Sequence, residues 1–151
     1  MPLWDKVEQS VRHMQAQLIA KRQDLTGDAF RDASMAMCAL VAAADGTIDE
    51  AETSKVAQLI AGNEALRQFD GDDLQRRFHA HVDRLSADCR LGKAQVMKDI
   101  AKAGAKPEEA RAVIRIGIVI GGADGRFDPS ERTVVREACV ALGIARAEFG
   151  L

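Results

Sequence analysis

Apolar residues recur every three or four positions along most of the chain, which is the period of an amphipathic α-helix. No stretch of useful length alternates apolar and polar residues as strands do, and tyrosine is absent. The pattern therefore predicts an all-α chain of about seven helices. The first predicted helix spans about 20 residues and ends near residue 25, and the others cover about 28–44, 50–61, 72–85, 88–103, 107–122 and 129–142, with a last turn at 145–149.

Glycine, proline and aspartate supply the boundaries between these helices. Gly62 and Gly104 are typical of helix ends, and Pro107 is typical of a first helical turn. Asp28 is placed to cap the second helix. No linker long enough to separate two domains interrupts the pattern, so residues 1–151 are interpreted as a single domain.

Composition narrows the function classes. The chain has 21 basic and 23 acidic residues and a formal net charge of -2. This balance gives no global attraction to nucleic acid, so we expect no nucleic-acid partner. The most apolar stretch, 113–123, contains Arg115 and is shorter than the about 20 residues that a membrane span needs. No signal peptide is visible. We expect a cytoplasmic protein without a membrane span, whose three cysteines are buried or half-buried thiols.

The chain also repeats itself. The segment ADGTIDEAE at 44–52 aligns with ADGRFDPSE at 123–131, an offset of 79 residues. Apolar positions on both sides of the segment align at the same offset. The repeat predicts two helix–acidic loop–helix units, at about 30–69 and 109–149, packed around a pseudo-two-fold axis.

Each acidic segment resembles the second half of a calcium-binding EF-hand loop, but the first half is missing. With Gly46 at the sixth loop position, the first and third ligand positions fall on Val41 and Ala43. In the second copy they fall on Ile120 and Gly122. None of these side chains carries an oxygen, so a standard EF-hand is rejected.

Helix capping explains part of the acidic pattern. Asp49 followed by Glu52, and Asp128 followed by Glu131, have the spacing of a capping box. Asp45 and Asp124 are different, because a carboxylate in the last turn of a helix opposes the helix dipole. That unfavourable choice in both copies indicates a function.

The six acids could form one cluster if the pseudo-two-fold axis brings the loops together. Such a cluster would repel itself unless a divalent cation or a basic partner neutralised it, and oxygen ligands favour calcium or magnesium over zinc. The candidate metal ligands are Asp45, Asp49, Glu52, Asp124, Asp128 and Glu131.

The paired ADGxxDxxE loops in an all-helical chain of this length resemble the TerB family of tellurite resistance proteins. The resemblance implies a compact helical bundle with an acidic metal-binding surface formed by both loops. It also implies a role in the bacterial response to tellurite, phage and pore-forming colicins. The implied partners are the integral membrane protein TerC and calcium-binding TerD-like proteins, which would bring a cytoplasmic protein to the inner membrane peripherally.

These residues are consistent with two functions. The first is a non-enzymatic adaptor that binds a divalent cation, calcium rather than magnesium or zinc, at the six acids. The alternative is a metal-independent interaction module whose acidic patch binds basic partners. A metal-dependent hydrolase is not supported, because the sequence offers no nucleophile or base outside the acids. A second surface, for an acidic partner or lipid headgroups, is predicted from basic residues on the first helix and in the middle segment: Lys6, Arg12, Lys21, Arg22, Arg76, Arg77 and Arg84.

Overall fold

The computed structural model of the protein describes residues 7–151. Within that range the chain forms seven α-helices and no strand, which confirms the all-α prediction. Four short 3-10 helices, Arg22–Asp24, Glu64–Leu66, Lys102–Ala105 and Arg146–Phe149, occupy the connections and the carboxyl end. The α-helices are α1 (Val7–Ala20), α2 (Asp28–Ala42), α3 (Glu50–Gly62), α4 (Gly71–Ala87), α5 (Cys89–Ala101), α6 (Pro107–Gly121) and α7 (Pro129–Leu142).

Helices α2 and α6 form the centre of the core. Both are apolar on nearly all sides, as expected for helices surrounded by others, and every residue from Ala33 to Ala42 is buried. The two helices cross closely at Gly117, where an added Cβ would lie 2.9 Å from Cγ of Met37. Helices α4 and α5 pack on α2, α1 packs on α6, and α7 packs on α5 and α6.

Most helix boundaries follow the sequence signals. α6 begins at Pro107, and Asp88 caps α5 by accepting a hydrogen bond from the Leu91 backbone N–H. The prediction that Asp28 caps α2 is wrong. Gly27 has the extended backbone of the N-cap and offers no side chain, so Asp28 is already the first helical residue.

The thiols differ from one another. Cys38 and Cys139 are buried as expected, but Cys89 is exposed, because the first residue of α5 lies at the surface. Burial raises the pKa of the Cys38 thiol to about 12. No helix in the described part of the chain is long and apolar enough to cross a membrane.

Candidate functional site

The two acidic segments fold into turns with the same local geometry. Asp45 Oδ1 accepts hydrogen bonds from the backbone N–H of Thr47 at 3.0 Å and from its hydroxyl at 2.9 Å. Asp124 Oδ1 accepts from the backbone N–H of Arg126 at 3.0 Å. Both aspartates therefore close an Asx turn, a side-chain imitation of a backbone turn.

Glycine completes each turn. Gly46 has φ 87° and Gly125 has φ 82°, a left-handed conformation that other residues adopt only with strain. α2 ends at Ala42 and α6 at Gly121, so Asp45 and Asp124 lie beyond the helices. The premise that these aspartates sit in the last helical turn is wrong, and their turns give them a structural role.

The residues that follow cap the next helices, but not equally. Asp49 accepts a 2.7 Å hydrogen bond from the Ala51 backbone N–H. Asp128 Oδ1 accepts from the Glu131 backbone N–H at 3.0 Å, while Glu131 Oε1 accepts from the Asp128 backbone N–H at 3.3 Å. The complete capping box forms in the second copy, whereas the cap of α3 is the Asp49 side chain.

The two turns meet in space. Side chains from both copies line one open pocket of about 240 Å³ between the ends of α2 and α6 and the first turns of α3 and α7. Apolar walls come from Val41, Val56 and Ile120. The acids that line this pocket are Asp45, Glu52, Asp124, Asp128 and Glu131; Asp49 is not part of its wall.

A lysine lies among these acids, and the sequence interpretation missed it. Lys55, on α3, places its Nζ 3.1 Å from Asp124 Oδ2. The pair joins the first repeat to the second and is partly open to water, with side chains 47% and 44% exposed. Its signal in the sequence was available, because Lys55 is three residues after Glu52 and therefore on the same helix face.

The pKa values of the carboxyl groups in the pocket are shifted in different directions. Burial raises the pKa of Glu131 to about 8, and repulsion from Asp128 and Asp124 adds to the effect. Hydrogen bonds from Thr47 hold the pKa of Asp45 below its usual value. Burial opposes such a decrease at Asp124, but the hydrogen bonds from Arg126 and Lys55 outweigh it and lower the pKa of Asp124.

The donor chemistry of the pocket fits a hard divalent cation, since the acids that line it offer carboxylate oxygens. The side chains are not yet arranged as ligands, because no group of three or more His, Cys, Asp or Glu within residues 7–151 is positioned to hold a metal ion. Cation binding would therefore require side chains of the pocket to move.

The predicted basic surface consists mostly of paired charges. Asp73 pairs with both Arg76 and Arg77, and Asp99 pairs with Arg84. Of the remaining residues, Lys21 pairs with Glu108, Arg22 donates to the Glu64 carbonyl, Arg12 lines an apolar groove beside α1, and Lys6 lies outside the described residues. Local carboxylates thus offset much of this positive charge, and its role in binding a partner stays a prediction.

An all-helical bundle with two acidic helix–turn–helix units sharing one pocket defines the class of protein. Comparison with known proteins identifies the family: residues 31–151 match the family described as "Tellurite resistance protein TerB". A curated protein, "Tellurium resistance protein TerB" from Alcaligenes sp, is 26% identical over 118 residues, which cover 78% of this chain and 97% of that protein. No solved structure gave a significant match.

The chain belongs to the TerB family, because the match covers most of its length. Membership supports a role in tellurite resistance. The TerB family is not known as an enzyme family.

Proposed function

We propose that the chain is a non-enzymatic, cytoplasmic adaptor of the bacterial tellurite resistance system that binds a divalent cation in the pocket between its two acidic turns. The observation that carries the proposal is the convergence of five carboxylates, from both sequence repeats, on one pocket. The pocket lysine, Lys55, is paired with Asp124 alone. A second cation, Arg126, also lines the pocket, and Glu131, whose pKa is raised to about 8, is mostly protonated at neutral pH. The other four carboxylates still outnumber Lys55 and Arg126, so the cluster keeps negative charge that a cation would relieve.

Calcium is the preferred ion in this proposal. It accepts six to eight oxygen ligands in flexible arrangements, whereas magnesium demands a stricter octahedron and zinc favours nitrogen or sulfur. An open pocket whose carboxylates come from two separate acidic segments suits the flexible geometry. The bound ion would neutralise the acids and hold the first repeat against the second. The adaptor would then present this surface to other proteins of the system, TerC and TerD-like proteins among them.

The test is titration of the purified chain with calcium, magnesium and zinc, followed by calorimetry and NMR. The decisive variant is Asp45→Asn/Asp124→Asn, because asparagine keeps the side-chain oxygen that closes each turn while removing the charge. Wild type should bind saturably and the double variant much more weakly. Absence of saturable binding by wild type at millimolar cation would contradict the proposal.

A second candidate function is a metal-independent module that binds basic partners. The observation in its favour is Lys55 itself, since the pocket already accepts one ammonium group in contact with Asp124. A lysine or arginine from another protein could use the remaining acids. Pull-down of partners should then weaken as salt rises and stay unchanged when a chelator is added. Loss of the partner with chelator would instead support the cation-dependent adaptor.

A further inference from the structure

Among the residues that the structure describes, Lys55 forms the ion pair that joins the two acidic units. It extends from α3 in the first repeat and contacts Asp124 in the second turn. The same helix carries Glu52, another acid of the pocket wall, one turn earlier. An ammonium group on a flexible stem therefore already occupies part of the space that a cation bound by both units would use.

The helix that carries Lys55 is the least anchored wall of the pocket. Only Val56 and Ile60 of the 13 residues in α3 are buried. By contrast, most of α6, which leads into Asp124, is buried in the core. Since few apolar contacts hold α3, its position responds more readily to the charges in the pocket than the position of α6 does.

No three acidic side chains of the described chain are positioned as metal ligands, and the lysine lies among them. A cation that bound Asp124 together with acids of the first repeat would meet repulsion from the Lys55 ammonium. The lysine must leave Asp124 before that carboxylate can ligate from the same oxygen.

We propose that Lys55 is a tethered competitor that neutralises Asp124 in the cation-free protein and must be displaced by the cation. The inference rests on the proposed cation-binding function and adds its regulation. Lys55 sets the affinity of the pocket and couples cation binding to the position of α3. Lys55 acts as a positioning residue, because its ammonium group cannot coordinate the cation.

The experiment measures calcium affinity by calorimetry for the chelator-treated full chain, its Lys55→Met and Lys55→Arg variants, and Lys93→Met. Methionine keeps an aliphatic stem without the charge, and arginine keeps the charge. Lys93 is the matched control, because it forms a similarly exposed ion pair with Glu137 away from the pocket. Lys55→Met should bind calcium roughly three- to tenfold more tightly, the range that a screened, half-exposed ammonium allows. Lys55→Arg and Lys93→Met should bind within about twofold of wild type.

A second readout follows the displacement directly. In the NMR spectrum of wild type, the Nζ resonance of Lys55 should change from a paired to a free ammonium on addition of calcium chloride, while that of Lys93 stays unchanged. An unchanged Lys55 resonance in a calcium-saturated protein would overturn the inference.

The outcomes separate this inference from the function on which it rests. If wild type binds calcium and Lys55→Met binds no more tightly, the competitor role is overturned and the cation-binding function stands. If only Lys55→Met binds, the competitor role is supported and the native chain is not a calcium protein. If neither binds, both are overturned.

Discussion

The two acidic turns have nearly the same sequence and hydrogen bonds, yet the protein supports them very differently. In the second turn, Phe127 is 3% exposed, and in the first, the equivalent Ile48 is 37% exposed. Glu131 is half-buried and completes a capping box, whereas Glu52 is exposed. The second turn is therefore anchored in the core through Phe127, whereas the equivalent residue of the first turn lies at the surface.

Packing around the end of α6 explains the difference. An added Cβ on Gly122 would lie 2.8 Å from Cγ2 of Val11, so α1 covers this end of the helix closely. On Gly121, an added Cβ would lie 3.0 Å from the Phe127 ring and 3.1 Å from Glu131 Oε2. The corresponding positions of the first repeat, Ala42 and Ala43, carry side chains. The two copies of the motif thus differ in support: the second is packed against α1, whereas the first is not covered by another helix of the described chain and is freer to adjust.

Truncation of the apolar residue before each cap should expose this contrast most strongly. Phe127→Ala should lower the free energy of unfolding by about 3–4 kcal/mol, because it leaves a cavity in the core. Ile48→Ala should cost about 1 kcal/mol or less, since water already reaches that side chain. Chemical denaturation followed by helical circular dichroism measures both. Equal losses would show that the two turns are equally supported.

Removal of each cap should give the next largest difference. Asp128→Ala should cost about 1.5–2 kcal/mol and Asp49→Ala about 1 kcal/mol, because Asp128 belongs to a complete capping box and Asp49 does not. The measurement is the free energy of unfolding in the presence of chelator. The controls are Asp128→Asn and Asp49→Asn, which keep the cap and remove only the charge. Losses as large in the asparagine variants would contradict a capping role.

The smallest effect should appear in the pH dependence of stability. Burial raises the pKa of Glu131 to about 8, so the folded state binds an extra proton and stability falls as pH rises from about 4.5, the unfolded value, through 8. Glu131→Gln should remove this pH-dependent loss of stability, because glutamine does not titrate. The expected size is only about 1 kcal/mol, because water screens a half-buried carboxyl. Denaturation at pH 5 and pH 9 measures it. Glu52→Gln, the exposed counterpart, should retain the wild-type decrease, and an identical pH profile for both variants would contradict this assignment.

Several elements of the fold were predictable because their causes are local. Gly104 and Pro107 mark the boundary before α6, and the apolar stretch 113–123 lies mostly within a buried helix, as its composition predicted. The family was recognisable from the two acidic segments for the same reason, since their spacing is readable along the chain. Where two local signals competed, as at Gly27 and Asp28, the backbone conformation decided the cap, and the sequence pattern alone could not.

The candidate site was predictable only in part. Its acids were identified, and five of the six line the pocket, but Asp49 remains a cap outside its wall. The structural task of Asp45 was missed, because helix α2 ends earlier than its apolar pattern suggested. The predicted pseudo-two-fold packing of the repeat units stays a prediction.

By itself, the sequence determined an all-α chain, the turn residues and the acids that precede α3 and α7, since these depend on side-chain period, backbone freedom and capping over a few residues. Only the tertiary structure decided that the turns share a pocket, that α1 covers one and leaves the other exposed, and that Lys55 pairs with Asp124. Those features depend on which helices pack against each other, because residues 69 positions apart become neighbours only when α2 and α6 cross in the core.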